Sequence, residues 1–115
     1  MPDRLAVLKG TLDVLVLKAL AWGPMHGFEV AEWLEGRSGD ALALDDSALY
    51  QALYRLEGKG LVAAEWGVTE NNRKARYYHV TRTGRAHLTR ETDSWLRYAA
   101  AVTRILTEPQ PAAGA

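Results

Sequence analysis

The sequence predicts a mainly α-helical protein with one small β-hairpin. Three segments carry apolar residues at the three- and four-residue spacing of a helix. Two short apolar stretches, a polar loop between them and one long amphipathic segment follow. Glycine and proline separate the segments, as turn residues do. The order helix, helix, helix, hairpin, helix is compatible with one domain in a chain of 115 residues.

The first three helices are each bounded by residues that start or stop a helix. The first is predicted over 5–22, where leucines recur at helical spacing up to a Gly-Pro pair. The second covers 27–36. The third covers about 46–57 and begins at two aspartates, which suit a helix N-terminus. Its buried side is predicted from leucines four and three residues apart: Leu49, Leu53 and Leu56.

The hairpin combines apolar strands with a basic tip. Strands are predicted over 61–66 and 76–81, joined by a long tip over 67–75. The net charge of the chain is zero, yet six basic residues and no acidic one lie between positions 71 and 90. Three of these cations fall within four positions at the tip: Arg73, Lys74 and Arg76. Such a local patch suits the phosphate backbone of a nucleic acid.

Three helices followed by a hairpin form the layout of a winged helix-turn-helix. In that layout the third helix enters the major groove, and the hairpin, called the wing, reaches the flanking backbone. We therefore predict double-stranded operator DNA as a partner, with the basic wing at 67–76 on phosphates. The third helix presents four side chains suited to bases and phosphates: Tyr50, Gln51, Tyr54 and Arg55. Alternatively, the tyrosines pack against the hairpin or a second subunit.

The last helix is predicted over 83–106 and carries the seam of a coiled coil. Its apolar residues recur at four- and three-residue intervals. Because so small a domain has little core left to cover a long helix, we expect a homodimer. The seam expected to pair the two subunits contains Leu88, Trp95, Ala99, Val102 and Leu106, with Thr92 between them. The alternative is that this helix packs wholly against the first helix of its own domain.

The sequence gives little indication of an enzyme, a metal-binding protein or a membrane protein. The chain has no cysteine, and His26, His79 and His87 lie far apart without a nucleophile or carboxylate at a mechanistic spacing. We therefore expect no catalytic residue, no metal and no cofactor. No stretch approaches the roughly 20 apolar residues that cross a bilayer, and no signal peptide is evident. These observations predict a cytoplasmic protein.

Several motifs, in order along residues 5–106, are similar to those of the PadR family of transcriptional regulators. The turn into the second helix, the third helix and the wing carry the most specific of them. Two positions depart from the family pattern: Gln51 stands where many members have proline, and Ser47 where glycine is frequent. The similar segments are LKGTL at 8–12, LKAL at 17–20, GPMHGFEV at 23–30, SALYQALYRLEGKGLV at 47–62, EWG at 65–67, NRKARYYHVT at 72–81 and TG at 83–84.

The resemblance implies a dimeric repressor on an inverted-repeat operator, with half-sites roughly 10 bp apart. It also implies that the last helix pairs with the partner's N-terminal helix region, as in the short, single-domain members. The expected organisation is a DNA-binding domain at 1–82, whose N-terminal helix also joins the dimer contact, a dimerisation helix at 83–107 and a disordered tail at 108–115.

Two alternatives remain at this point. In some short relatives, an aromatic residue on the last helix lines a hydrophobic pore and stacks flat molecules. Trp95 could bind a planar aromatic effector in this way, or it could simply belong to the core of the interface. A winged helix can also serve protein contacts without binding DNA, which the zero net charge favours and the basic wing opposes.

Overall fold

The computed structural model describes residues 4–8 and 10–111. Its helices are α1 (Leu12–Leu20), α2 (Gly27–Arg37), α3 (Asp46–Gly58) and α4 (Arg82–Leu106). Its strands are β1 (Leu5–Ala6), β2 (Met25–His26), β3 (Leu42–Ala43), β4 (Val62–Val68) and β5 (Lys74–Val80). The predicted mainly helical class, with three helices, a hairpin and a last helix, is confirmed.

The wing is a regular antiparallel hairpin with a short turn. Strands β4 and β5 pair along their whole length, and β2 adds a third strand on the other side of β5. The predicted tip over 67–75 is wrong, because the strand ladder continues to Val68 and Lys74. Only 69–73 form the turn, where Asn72 has a φ of +58°, a left-handed conformation that asparagine tolerates. The two-residue β2 is too short to produce a periodic signal in the sequence.

The core lies between α1, α2, α3 and the base of the wing. Leu49, Leu53 and Leu56 are buried as predicted, each with at most 1% of its surface exposed. Helix α3 begins where the sequence places it: the side chain of Asp45 accepts a hydrogen bond from the backbone N–H of Ala48 at 3.4 Å. The position of α3, and so its outward face, is fixed by this buried side.

Helix α1 is shorter than predicted. It begins at Leu12, because Gly10 has a φ of +92° and so interrupts the helical backbone. Residues 5 and 6 instead form β1, which pairs in parallel with β3. Leu8, whose spacing extended the apparent helix, is 73% exposed and lies outside the core. A helical spacing of leucines therefore misled the prediction before Thr11.

The first turns of helix α4 fix it to the core. Thr81 caps it by accepting a hydrogen bond from Gly84 N at 3.0 Å and donates another to the carbonyl of Gly60 at 2.7 Å. A Cβ at Gly84 would collide with the backbone of Leu61, so glycine allows this close approach. Leu88 packs against the core. Within the described residues, Gly84 is the one buried residue of α4, so the helix does not pack wholly within its own domain.

Residues 108–111 contain no helix or strand. The remainder of the predicted disordered tail, 112–115, lies outside the described residues. In the part of the chain that the structure covers, every helix is too short or too polar to cross a membrane.

Candidate nucleic-acid interface

The outward face of α3 is formed by the residues opposite its buried leucines. At 3.6 residues per turn, Ser47, Gln51 and Tyr54 lie at the centre of this face, and all three are exposed. Tyr50 and Arg55 are five positions apart, or about 140° around the axis, and so lie at opposite edges. The four predicted residues share one side of α3 as a broad face, not a narrow stripe. Ser47, one of the two departures from the family pattern, therefore lies at the centre of this face.

Tyr50 is held against the start of α2. A Cβ added to Gly27 would lie 2.5 Å from the Tyr50 hydroxyl oxygen and 2.6 Å from its ring. Glycine at this position therefore lets the tyrosine cross the first turn of α2. Tyr50 remains 51% exposed, so its packing is partial. This contact is with the first turn of α2.

Arg55 lies at the other edge of α3 and is ion-paired with Asp13 in the first turn of α1. Its Nε donates to Asp13 Oδ2 at 3.3 Å, and its Nη2 donates to Oδ1 at 2.5 Å. This hydrogen bonding raises the pKa of the Arg55 guanidinium above its usual value. The pair is half-exposed, so solvent still reaches the guanidinium.

The wing presents its free cations near the turn. Arg73 lies in the turn and Lys74 begins β5, and both are exposed. Among the described residues, neither of them takes part in an ion pair. Both side chains are thus available to phosphates.

Arg76 is joined to helix α3 by an ion pair. Its Nη1 and Nη2 donate to the two carboxylate oxygens of Glu57 at 3.2 and 2.9 Å, and its guanidinium lies 5.8 Å from the ring centroid of Tyr78. Hydrogen bonding with Glu57 raises the pKa of Arg76. This pair joins the wing to α3 and turns one face of the wing toward that helix.

The same face of the wing carries an exposed tryptophan, Trp66, which is not among the site residues predicted from the sequence. Trp66 lies opposite Arg76, and Val68 opposite Lys74, in the register of the hairpin. Cross-strand partners point to the same face, so these apolar side chains accompany the cations. Trp66 is 68% exposed. Val62, Ala64 and Trp66 are two residues apart along β4, so all three side chains lie on the strand face that turns toward the core. Trp66 is exposed because it lies farther along the strand, past the end of the core.

His26 acts as a helix cap. Its Nδ1 accepts a hydrogen bond from Glu29 N at 3.3 Å, while its own backbone N–H donates to Glu29 Oε1 at 3.1 Å. This reciprocal arrangement is a capping box for α2. The described residues hold no group of three or more side chains suited to a metal ion.

A second surface lies along α4, away from the outward face of α3. Between α1 and α4 is an apolar cavity of about 400 Å³, the Trp95 cavity. Of the predicted seam residues, Leu88 packs against the core, Ala99 and Val102 are half-buried, and Trp95 and Leu106 are exposed. The cavity is lined by Thr11, Val14, Leu15, Lys18, Leu42, Thr92, Trp95 and Leu96.

Solved structures with this fold include transcriptional regulators. One from Clostridium thermocellum is 22% identical, with a TM-score of 0.75 over 84% of this chain and 90% of that chain. A PadR family transcriptional regulator from Eggerthella lenta is 28% identical, with a TM-score of 0.74 over 88% of this chain and 86% of that chain. The first likeness, at this low identity, concerns the fold alone.

The sequence comparisons point the same way. An uncharacterized protein of Lysinibacillus sphaericus is 26% identical over 92 residues, which are 80% of this chain and 84% of that protein. The family model of the transcriptional regulator PadR-like family matches residues 16–90, more than half of the chain. The match spans α2, α3, the wing and the start of α4. The chain therefore belongs to the PadR-like family of transcriptional regulators.

Proposed function

We propose that the protein is a sequence-specific DNA-binding repressor that acts as a homodimer on an inverted-repeat operator. One observation carries the proposal: the exposed face of α3 borders a basic wing, and the Glu57–Arg76 ion pair holds the two together. A helix and a wing fixed in this way can meet the major groove and its flanking backbone at once.

The residues divide by the contacts they offer to DNA. Gln51 and Arg55 have the donors and acceptors that read base edges, and Tyr54 offers a hydroxyl to bases or phosphates. Tyr50 has the same chemistry but less freedom, since it lies on Gly27. On the wing, Arg73, Lys74 and Arg76 offer charge to phosphates. Arg76 contributes less of it, because Glu57 already neutralises that charge.

The homodimer is proposed from the uncovered side of α4. Several apolar residues on this side are exposed, among them Trp95 and Leu106. A second copy placed along the seam Leu88, Trp95, Ala99, Val102 and Leu106 would bury this side. Two copies related by a two-fold axis would also give the spacing of the half-sites.

Binding to DNA as a function of salt tests the proposal. The probes are the DNA upstream of the protein's own gene and a pool of random-sequence duplexes. We expect sequence-selective binding whose affinity falls steeply as salt rises. Replacing both Arg73 and Lys74 by Ala is expected to weaken binding to all sequences and to reduce the slope of log K against log salt by about 2, since each phosphate contact contributes about 0.9.

A matched control removes two cations elsewhere. Arg97→Ala with Arg104→Ala makes the same change in net charge on the exposed part of α4 and is expected to leave most of the slope intact. Equal losses in the two double variants would argue against the wing. If neither probe binds, the proposal fails and the protein-contact function of the winged helix takes its place.

A planar aromatic effector is a second candidate function, favoured by the Trp95 cavity. Its lining is almost wholly apolar and contains one indole, which suits stacking of a flat molecule. The test is titration of the DNA-free protein with proflavine, read by tryptophan fluorescence. Quenching is expected in the wild type and should largely disappear in Trp95→Phe. Equal quenching in both proteins would leave Trp95 as an interface residue only.

A further inference from the structure

Two arginines near the outward face of α3, Arg55 and Arg76, are each held by a carboxylate but use different edges of the guanidinium group. Arg55 donates to Asp13 from Nε and Nη2, the lateral edge. Arg76 donates to Glu57 from Nη1 and Nη2, the terminal edge. The planar group offers donors on both edges in a fixed geometry, so the two ion pairs leave different donors free.

The free edge determines which base contact each arginine can make. Guanine presents two acceptors in the major groove, O6 and N7, which an arginine meets with two parallel N–H donors. Arg55 keeps its terminal pair of donors available for such a contact. In Arg76 that pair is occupied by Glu57. The geometry thus allows Arg55 to keep its carboxylate partner while it binds a base.

Both members of the Arg55–Asp13 pair stand on rigid elements. Asp13 lies in α1 close to Val16 and Leu17, which are completely buried. Arg55 lies between Leu53 and Leu56 of the α3 core. The ion pair therefore restricts the rotamers of the long Arg55 side chain before DNA binds. This lowers the conformational entropy that Arg55 loses when it contacts DNA.

We propose that Asp13 is a positioning residue for DNA recognition: it fixes the lateral edge of Arg55 so that the terminal edge reads a guanine in each half-site. The inference rests on the proposed function and adds a specificity determinant outside the helix-turn-helix. Asp13 touches no DNA and acts through Arg55. Arg76, in contrast, fastens the wing to α3 with its terminal edge.

Selection of binding sites from a pool of random-sequence duplexes tests the proposal with the full-length protein. The wild type should select half-sites with a guanine at one fixed position. Arg55→Gln should lose this preference completely, and Asp13→Asn should reduce it about tenfold at the same position and little elsewhere. The readout is base preference, because removing a negative charge would by itself strengthen binding to any DNA.

Asp93→Asn is the matched control, since it removes the same charge and breaks the exposed Asp93–Arg97 ion pair on α4. It should retain the guanine preference that Asp13→Asn loses. Melting temperatures establish that each variant is folded, and Asp13→Ser replaces Asp13→Asn if the latter is not. The proposal is overturned if Asp13 variants keep the wild-type preference at every position, or if Arg55→Gln selects the same sites. Wild-type protein that binds no DNA would remove the proposed function itself, a separate result.

Discussion

Helices α3 and α4 each carry apolar residues at helical spacing, but these residues are buried in α3 and largely exposed in α4. The apolar side of α3 is closed off by α1, α2 and the wing, and its leucines are buried. The apolar side of α4 packs on the same core near Gly84 and Leu88, and farther along Trp95 and Leu96 border the cavity against α1. Helical periodicity therefore predicts that a side is apolar but not what covers it.

The lengths of the elements account for the difference. A helix rises 1.5 Å per residue, so the 25 residues of α4 extend about 37 Å. The molecule measures 66 × 35 × 20 Å, and most of α4 extends beyond the core that α1 to α3 provide. We therefore propose that the polar side of α3 contacts DNA and that the apolar side of α4 packs against a second copy of the chain.

The largest effect is expected from Leu53→Ala in α3. Leu53 is completely buried, and its truncation leaves a cavity as well as losing apolar contacts, so the free energy of unfolding should fall by about 2–5 kcal/mol. Chemical denaturation monitored by circular dichroism measures this change. A loss below about 1 kcal/mol would mean that the α3 core is far looser than its burial indicates.

The next effect is expected from Val102→Asp in the α4 seam. A carboxylate in a paired apolar seam is costly unless it finds a partner, so the variant should be monomeric and should bind operator DNA about 100-fold more weakly. Ala101→Asp is the control, because residue 101 is exposed and lies about 140° from the seam centre around α4. If both variants behave alike, the seam is not the interface.

The smallest effect is expected from Ile105→Ala. Ile105 is 73% exposed and lies away from the seam, and surface substitutions of this kind usually change the free energy of unfolding by less than about 0.5 kcal/mol. Denaturation curves of this variant and of Leu53→Ala give the contrast between the two helices directly. A destabilisation close to that of Leu53→Ala would show that α4 is covered on a wider side than proposed.

Local signals predicted the start and the buried side of α3 correctly, but they did not predict which distant residues form ion pairs. The start of α3 follows from Asp45 and its buried side from three leucines, all within a few turns of one another. The Arg55–Asp13 pair joins residues 42 positions apart, and no periodicity encodes it. For this reason Arg55 appears in the sequence as a free cation, although the fold gives it a carboxylate partner.

The boundaries that failed have a common physical cause. The first helix was extended through Gly10 because leucine spacing was followed past a residue with positive φ. The wing turn was predicted too long because polar strand residues such as Lys74 resemble those of a loop. In the structure Lys74 pairs with Val68 and belongs to the strand. In both places the backbone geometry, not the side-chain pattern, decides where the element ends.

The mass of the protein–DNA complex tests the central claim most directly. Sedimentation of the wild-type protein with a duplex that carries one selected inverted repeat should give two chains per duplex, with a single half-site bound much more weakly. Such a result would support the proposal that α3 contacts DNA and that α4 joins the two subunits. One chain per duplex, with equal affinity for a single half-site, would contradict it.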